Sequence, residues 1–209
     1  MTNFLIVDDH SIFRQGVKMI ISNAFEKSVC SEASNSAEAL IKLNKQKFDI
    51  VILDINMPGR SGLDFIVDVL SFNSEIPILV LSMYEEDQMA LRALKAGAKG
   101  YLTKSRAADD LIGAINRMLS GKQYITENVA ELLVNEVRKK ETGDVMKELS
   151  DREYFVLMRL AAGETLTEIS KSLTLSVKTI YTYRTRCMKK LNLRNMAQLV
   201  SFVKDNNLA

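Results

Sequence analysis

The sequence has no tryptophan, one histidine, two prolines and two cysteines among its 209 residues. One histidine and two distant cysteines are too few ligands for a zinc site, so Cys30 and Cys187 are expected to be reduced packing residues. No apolar run approaches the ~20 residues that a membrane-spanning helix needs. The chain begins almost directly with a strand-like run, so no secretory signal is expected. These absences favour a cytoplasmic globular protein without membrane contact.

Charge is unevenly distributed, although the net charge of the whole chain is only +2. Residues 1–120 carry 13 basic and 15 acidic side chains, whereas residues 148–209 carry 10 basic and 6 acidic ones. Between Thr165 and Arg194, seven basic residues accompany a single acidic residue, Glu168. A basic patch of this size favours a polyanionic partner, although many such runs are only solvated surfaces.

Short apolar runs alternate with helix-period segments over residues 1–120. The apolar runs span residues 4–7, 29–30, 50–53, 76–81 and 100–102. The helical segments span residues 11–25, 36–46, 62–72, 85–96 and 107–119. This alternation predicts an α/β fold, in which a doubly wound sheet of five parallel strands is covered by helices on both faces. In such sheets the ligand site lies at the carboxyl ends of the strands.

Beyond Gly121 the pattern becomes entirely helical. Residues 126–140 predict an amphipathic helix, and residues 139–144 have the composition of a flexible link. The chain is therefore expected to have three parts. They are a first domain at 1–121, a linker with an amphipathic helix at 122–147, and a small all-α domain at 148–209.

Polar residues follow four of the predicted strands. Asp8 and Asp9 come after the first strand, Asp54 ends the third, Ser82 ends the fourth, and Lys104 follows the fifth. Because these strand ends share one sheet edge, three carboxylates are expected to converge there. Mg²⁺ prefers oxygen ligands and would relieve the repulsion between them. Taken singly, an aspartate at a strand end is more often a helix cap or a turn residue.

A pocket of this kind suits phosphoryl transfer to a carboxylate. With Mg²⁺ held by Asp9 and Asp54, and Asp8 acting through water, Asp54 could attack a phosphoryl donor in line. The metal and the Lys104 ammonium would neutralise charge on the transferred group. The hydroxyl of Ser82 could then hydrogen-bond one of its oxygens.

Three further predictions concern residues near this pocket. The loop at residues 56–59 is predicted to turn away and leave the Asp54 carboxylate exposed. His10 has no partner histidine, so it is expected to be a packing or capping residue and not a ligand. Tyr101 could be an ordinary core residue.

These residues, with Met57-Pro58-Gly59 and Gly100-Tyr101-Leu102-Thr103-Lys104, resemble the receiver domain of two-component systems over about residues 1–121. The resemblance implies a flavodoxin-like fold in which Asp54 is the phosphoacceptor. It also implies the remaining roles: Asp8, Asp9 and the Asn56 backbone carbonyl serve the metal, Lys104 is the phosphate counter-ion, and Ser82 and Tyr101 form the conformational switch.

Capping patterns divide residues 148–209 into four helices. A capping box from Ser150 to Glu153 opens the first helix, which Gly163 ends. A second box runs from Thr165 to Glu168. Ser176 then caps a longer basic helix that extends to Leu191, and residues 195–206 form the last helix. A short helix, a tight turn and a longer basic helix are the elements of a helix-turn-helix.

The longer helix has two distinct faces. Ile180, Tyr183, Cys187 and Leu191 are expected to pack inward. The opposite face mixes donors, acceptors and an aromatic ring, as a major-groove reader needs. The candidate DNA-binding residues are Lys178, Thr179, Tyr181, Thr182, Arg184, Thr185, Arg186, Lys189 and Lys190; of these, Arg184, Arg186 and Lys190, together with Arg194, suit phosphate contacts. The alternative is a solvated amphipathic helix in a small bundle.

Leu149-Ser150-Asp151-Arg152-Glu153, Gly163, Glu168-Ile169, residues 175–180 and Lys190-Leu191 resemble the DNA-binding domain of the LuxR/FixJ type. That resemblance implies a dimer-forming fourth helix. Tyr181 stands at a variable groove-facing position, so no DNA sequence preference follows.

A receiver followed by such a domain resembles the NarL/FixJ class of response regulators. The resemblance implies a phosphorylation-controlled transcriptional regulator that forms a homodimer on activation. Its expected partners are double-stranded DNA, a sensor histidine kinase and RNA polymerase. No enzyme activity is expected beyond the receiver's own phosphoryl transfer and slow dephosphorylation.

Two alternatives stay open at this point. One is a DNA-binding regulator that works without phosphorylation and keeps a vestigial receiver, although the complete acidic set argues against it. The other is a Mg²⁺-dependent phosphate hydrolase that uses Asp54 as its nucleophile. Such an enzyme would need a general acid and a cap over the site, and the sequence indicates neither.

Overall fold

The chain forms two compact units, Met1–Val134 and Asn135–Ala209. The computed structural model describes residues 1–57, 62–83, 88–138, 149–173 and 175–206. Within these ranges, no helix combines the length and the apolar character that crossing a bilayer requires.

The first unit is built on a five-stranded parallel sheet. Its strands are β1 (Thr2–Val7), β2 (Ser28–Ala33), β3 (Ile50–Asp54), β4 (Ile78–Ser82) and β5 (Gly100–Thr103). They lie in the order β2-β1-β3-β4-β5, and every neighbouring pair is parallel. The chain first moves outward from β1 to β2 and then continues on the other side of β1, so a switch point lies between β1 and β3. The predicted α/β class and the five parallel strands are confirmed.

The central strands are apolar on both faces because helices cover both sides of the sheet. All residues of β3 and β4 are buried, which agrees with the continuous apolar runs typical of such strands. One face packs into a cluster that also takes in residues of the first and fifth helices, including Val17, Ile21, Leu111, Ile115 and Met118.

Five helices cover the sheet. They are α1 (Ser11–Ala24), α2 (Ser36–Lys45), α3 (Gly62–Phe72), α4 (Gln88–Lys95) and α5 (Ala107–Leu119), with a 3₁₀ turn at Lys104–Arg106 before α5. A Cβ atom on Gly62 would lie only 2.7 Å from the carbonyl oxygen of Ile55. Glycine therefore lets α3 begin close against the backbone that follows β3. Of the predicted helix at 85–96, residues 85–87 lie outside the described residues.

The segment after α5 returns to the sheet edge. The backbone N–H of Tyr124 donates to the Lys99 carbonyl at 2.9 Å, and Tyr124 bridges Gly100 in parallel fashion. Helix α6 (Glu127–Arg138) follows and buries Val129. The predicted amphipathic helix is thus present at its described residues, whereas the predicted flexible link at 139–144 lies outside them. The predicted domain boundaries stay predictions.

The second unit contains four helices among its described residues beyond α6. They are α7 (Asp151–Ala161), α8 (Leu166–Ser172), α9 (Val177–Lys190) and α10 (Met196–Asp205). Both predicted capping boxes are present, and the Ser176 hydroxyl accepts from the Thr179 backbone N–H at 3.0 Å. Gly163 follows α7 with φ at +90°, a conformation that glycine adopts easily. The predicted four-helix arrangement is confirmed.

Candidate functional site

Four neighbouring strands each bring one polar residue to the same edge of the sheet. Asp8 follows β1, Asp54 ends β3, Ser82 ends β4, and Lys104 follows β5. The Lys104 Nζ lies 2.6 Å from Asp8 Oδ2 and 2.7 Å from Asp54 Oδ2. These side chains, together with Asp9, form what we call the acidic pocket. The convergence expected from the strand ends is therefore seen in the geometry.

Asp54 is buried, and the prediction that its carboxylate stays exposed is wrong. Its residue is only 1% exposed because β3 lies between β1 and β4 in the sheet. The backbone N–H of Asn56 folds back and donates to Asp54 Oδ1 at 2.8 Å. Burial raises the pKa of Asp54; the Lys104 ammonium opposes the rise, and the Asp8 carboxylate adds to it. Residues 58 and 59 of the predicted loop lie outside the described residues.

Lys104 is held from two sides. Its ammonium bonds the two carboxylates and also lies 4.5 Å from the centroid of the Phe13 ring, at a distance suited to a cation–π contact. The lysine is almost fully buried. Sequence reasoning missed Phe13, whose position in the first turn of α1 beside the acidic pair was the available signal.

His10 also belongs to the acidic pocket, which the sequence analysis did not predict. Its Nδ1 lies 3.1 Å from Asp8 Oδ1, 3.1 Å from Asp9 Oδ1 and 3.9 Å from Asp54 Oδ2. The residue stands at the N-cap position of α1, but its side chain caps nothing and is 63% exposed. The expectation of a packing or capping side chain is therefore wrong. Its place directly after Asp8-Asp9 was the signal.

The donor set fits a hard divalent cation. Asp8, Asp9, His10 and Asp54 each offer a ligand atom, and these atoms lie within 4.8 Å of one another. Asp9 Oδ1 is buried and, within the described ranges, makes no hydrogen bond, although His10 Nδ1 is nearby. Three carboxylates face the single ammonium of Lys104, so the pocket has an excess of negative charge that a cation would balance.

Asn56 contacts residues of the acidic pocket through its side chain as well as through its backbone. Its Nδ2 donates to Ser82 Oγ at 3.4 Å, while its Oδ1 is buried without a hydrogen bond from the described residues. Tyr101 is only 1% exposed. The ring of Tyr101 is therefore buried in the unmodified protein.

Helix α9 has the two predicted faces. Ile180, Cys187 and Leu191 are buried, and Tyr183 is half-buried. The predicted outward residues are all exposed: Lys178, Tyr181, Thr182, Thr185 and Lys189. Two threonine hydroxyls nevertheless bond to the helix itself, since Thr182 Oγ1 donates to the Lys178 carbonyl and Thr185 Oγ1 to the Tyr181 carbonyl, both at 2.9 Å. At these two positions the hydroxyls donate to the helix backbone, and the predicted DNA contacts of both threonines stay predictions.

Two other predicted DNA-contacting residues have partners within the unit. Lys190 Nζ donates to Glu153 Oε2 at 2.7 Å and joins α9 to α7. The Thr179 hydroxyl bonds the Ser176 hydroxyl at 2.8 Å. Arg186 and Arg194 are exposed, and Arg184 is half-buried. Lys190 supplies the charge that the buried Glu153 carboxylate needs, while its own side chain stays partly exposed. Its predicted DNA contact stays a prediction.

Comparison with known families places both units. The family described as the response regulator receiver domain matches residues 4–116. The family described as bacterial regulatory proteins of the luxR family matches residues 147–203. The chain belongs to the response regulator family.

Two relatives match this chain over more than nine-tenths of their own length. This response regulator is 31% identical over 200 residues to response regulator UvrY of Escherichia coli, which covers 95% of this chain and 92% of the relative. It is 34% identical over 206 residues to the oxygen regulatory protein NreC of Staphylococcus epidermidis, with 95% and 94% covered. The family places the chain among transcription regulators and not among the phosphate hydrolases that the sequence left open.

Solved structures of RcsB are similar along the whole response regulator. RcsB from Salmonella typhimurium matches with a TM-score of 0.62 and 28% identity, over 98% of this chain and 100% of that one. RcsB from Salmonella enterica serovar Typhimurium, bound to a promoter in the presence of phosphomimetic BeF₃⁻, matches with a TM-score of 0.62 and 28% identity, over 97% and 98%.

Proposed function

We propose that Asp54 accepts a phosphoryl group from a sensor histidine kinase and that this modification controls binding of double-stranded DNA by α9. The observation that carries the proposal is the 2.7 Å contact between Lys104 Nζ and Asp54 Oδ2 at a sheet edge shared by four strands. We assign the receiver to 1–121, the linker to 122–147 and the DNA-binding domain to 148–209. A protein that binds chromosomal promoters acts in the cytoplasm.

The transfer is an in-line displacement at phosphorus. A carboxylate oxygen of Asp54 forms the new P–O bond, the P–N bond to the kinase histidine breaks, and the leaving imidazole keeps the electron pair and takes up a proton. Lys104 neutralises charge on the phosphoryl oxygens. Because its ammonium is already placed and desolvated, little rearrangement is needed when the new charge arrives.

Asp8, Asp9, Asp54 and the Asn56 backbone carbonyl would hold Mg²⁺, which supplies further charge neutralisation on the transferred group when bound. Asp9 Oδ1 supports this assignment, because it is buried and accepts no hydrogen bond from the described residues. Lys104 bonds one oxygen of Asp8 and one of Asp54. A cation would therefore bind their other oxygens, which also accept the backbone N–H groups of His10 and Asn56, together with Asp9.

Phosphorylation changes the charge on Asp54 from one unit to nearly two and adds acceptor oxygens. Ser82 Oγ, held 3.4 Å from Asn56 Nδ2, would turn to donate to a phosphoryl oxygen. Together with Tyr101 it would bias the receiver toward a state that forms a homodimer. Shifting a population from 1:99 to 99:1 requires about 5.5 kcal/mol of differential stabilisation.

In the dimer, two copies of α9 would bind symmetric half-sites about one helical turn apart, where RNA polymerase is the further expected partner. A gel-shift titration of the full chain on promoter fragments, with and without beryllofluoride and Mg²⁺, tests the proposal. Beryllofluoride should increase DNA affinity and oligomer size in the wild type but not in Asp54→Asn. Strong binding that ignores beryllofluoride would instead support the vestigial receiver.

A further inference from the structure

The middle of the outer face of α9 offers few hydrogen-bond donors. It consists of Tyr181, Thr182 and Thr185, all exposed. Each threonine hydroxyl has one proton, and each hydroxyl oxygen lies 2.9 Å from a carbonyl of the preceding helical turn, to which it donates. A molecule that contacts this turn therefore meets the two threonine methyl groups, oxygens able only to accept, and the tyrosine ring with its terminal hydroxyl.

Cationic donors flank this central turn. Lys178 lies in the first turn of the helix and Lys189 in the last, and both are exposed. Arg186 is exposed beside Lys189. The described outer face of α9 thus carries charge at its two ends. Between them lie methyl groups and an aromatic ring, with two acceptor oxygens and the Tyr181 hydroxyl.

Base edges in the major groove differ in what they require. Guanine and adenine are read by side chains with paired groups such as arginine, asparagine or glutamine, whereas thymine presents a C5-methyl group that apolar atoms contact. We propose that the central turn of α9 reads thymine, with the C5-methyl packed against the methyl groups of Thr182 and Thr185 and the ring of Tyr181. This inference rests on the proposed DNA-binding function and adds the class of base that the helix prefers.

The competing arrangement has the threonine hydroxyls facing the bases. It would require each side chain to rotate and give up a 2.9 Å bond to the helix backbone. Two substitutions separate the arrangements, because Thr185→Ser keeps the hydroxyl and removes the methyl, whereas Thr185→Val keeps the methyl and removes the hydroxyl.

The test uses the full chain with beryllofluoride and Mg²⁺, and a random duplex library as the probe. In the enriched site, each thymine is replaced singly by deoxyuridine, which removes only the C5-methyl group, and the dissociation constant is measured. At one or two positions near the centre of each half-site, we expect the change to weaken binding about fourfold, as the loss of one buried methyl contact implies.

The variants assign the methyl contact to the threonines. Thr185→Val should keep the deoxyuridine effect, and Thr185→Ser should reduce it to less than twofold; the same pair at Thr182 tests its neighbour. Two outcomes would overturn the inference and leave the proposed function intact. In the first, the wild type binds tightly and deoxyuridine has no effect on its affinity. In the second, tight binding is lost in Thr185→Val and kept in Thr185→Ser. Failure of the library to yield any enriched duplex would overturn both.

Discussion

The Lys104 Nζ lies 2.7 Å from Asp54 Oδ2, and both side chains are almost completely excluded from solvent. The same ammonium contacts Asp8 at 2.6 Å. One buried cation is therefore shared by two buried anions, with Asp9 and His10 at the rim. The stability of the receiver and its readiness for phosphoryl transfer depend on the same three side chains.

Replacement of Lys104 should destabilise the protein. Lys104→Met leaves two buried carboxylates without their cation, and breaking a buried pair in this way typically costs about 3–5 kcal/mol. Asp54→Asn is the matched control. It removes a negative charge from an acidic pocket in which carboxylates outnumber ammonium groups, and it leaves Lys104 paired with Asp8. Urea denaturation in EDTA should show a large loss of unfolding free energy for Lys104→Met and little or no loss for Asp54→Asn. The reverse ranking would contradict this account of the pocket.

His10 should affect the choice of metal. Imidazole is a good ligand for Ni²⁺, whereas Mg²⁺ prefers oxygen and water. His10→Ala is therefore expected to leave Mg²⁺ affinity within about twofold. It should lower Ni²⁺ affinity by about tenfold or more, since even outer-shell partners of a metal site have effects of that size. Calorimetric titration of both metals provides the measurement. Asp9→Asn serves as the control that weakens both, and equal losses for the two metals in His10→Ala would refute the prediction.

Protonation of Glu153 at acid pH should lower the stability of the second unit. Burial would raise the pKa of this carboxyl, but the hydrogen bonds from Lys190 and Ser150 outweigh burial and lower it below its ordinary value of 4.5. A lowered folded-state pKa means that the stabilisation is complete above about pH 4.5 and is lost as the pH falls through the folded-state value. The hydrogen-exchange protection factors of α7 and α9 amides, which correct for the intrinsic effect of pH on exchange, should therefore fall in that acidic range.

In Glu153→Gln, the amides of α7 and α9 should exchange faster than in the wild type at neutral pH. At acid pH their exchange rates should approach those of the wild type. Glu168→Gln is the matched control, because Glu168 closes the same kind of capping box but has an exposed side chain. Its effect should be much smaller. If the two variants behaved alike, the capping box and not the pair with Lys190 would explain the stability.

Two lysines of α9 should differ in how they affect DNA binding. Lys178 is exposed at the start of the helix, whereas Lys190 is paired with Glu153. Lys178→Ala should weaken binding and reduce the slope of log affinity against log salt by about 0.9, the loss of one phosphate contact. Lys190→Ala should leave the slope unchanged and lower the unfolding temperature instead. Binding isotherms over a series of KCl concentrations, with beryllofluoride present, distinguish the two.

The acidic pocket could be predicted because it depends on local pattern and topology. Once the apolar runs are assigned to parallel strands, the residues after them must meet at one edge, and this brought Asp8, Asp54, Ser82 and Lys104 together. The burial of Asp54 could not be predicted in the same way, since it depends on the neighbouring strands and on Asn56 folding back. The side-chain direction of His10 likewise depends on its contacts with Asp8 and Asp9 in the folded structure and not on pattern.

Glu153 makes one contact that could be predicted from sequence pattern and another that depends on tertiary packing. Its bond to Ser150 spans three residues and follows a spacing visible in the sequence, so the capping box was predicted. Its bond to Lys190 spans 37 residues and depends on how α7 packs against α9. The hydroxyls of Thr182 and Thr185 are a further case, because a sequence does not reveal whether such a proton is donated to the helix or to a partner.

Strands β1, β3, β4 and β5 each bring at least one side chain to the acidic pocket, so a phosphoryl group held there would tie four strands together. The phosphoryl group stays on Asp54 when the chain unfolds, but its contacts with Lys104 and Ser82 would exist only in the native sheet, so these contacts would raise the free energy of unfolding. Phosphorylated molecules should then be cleaved more slowly by proteases than unmodified ones. The signal would in this way set the lifetime of the regulator in the cell as well as its occupancy of promoters.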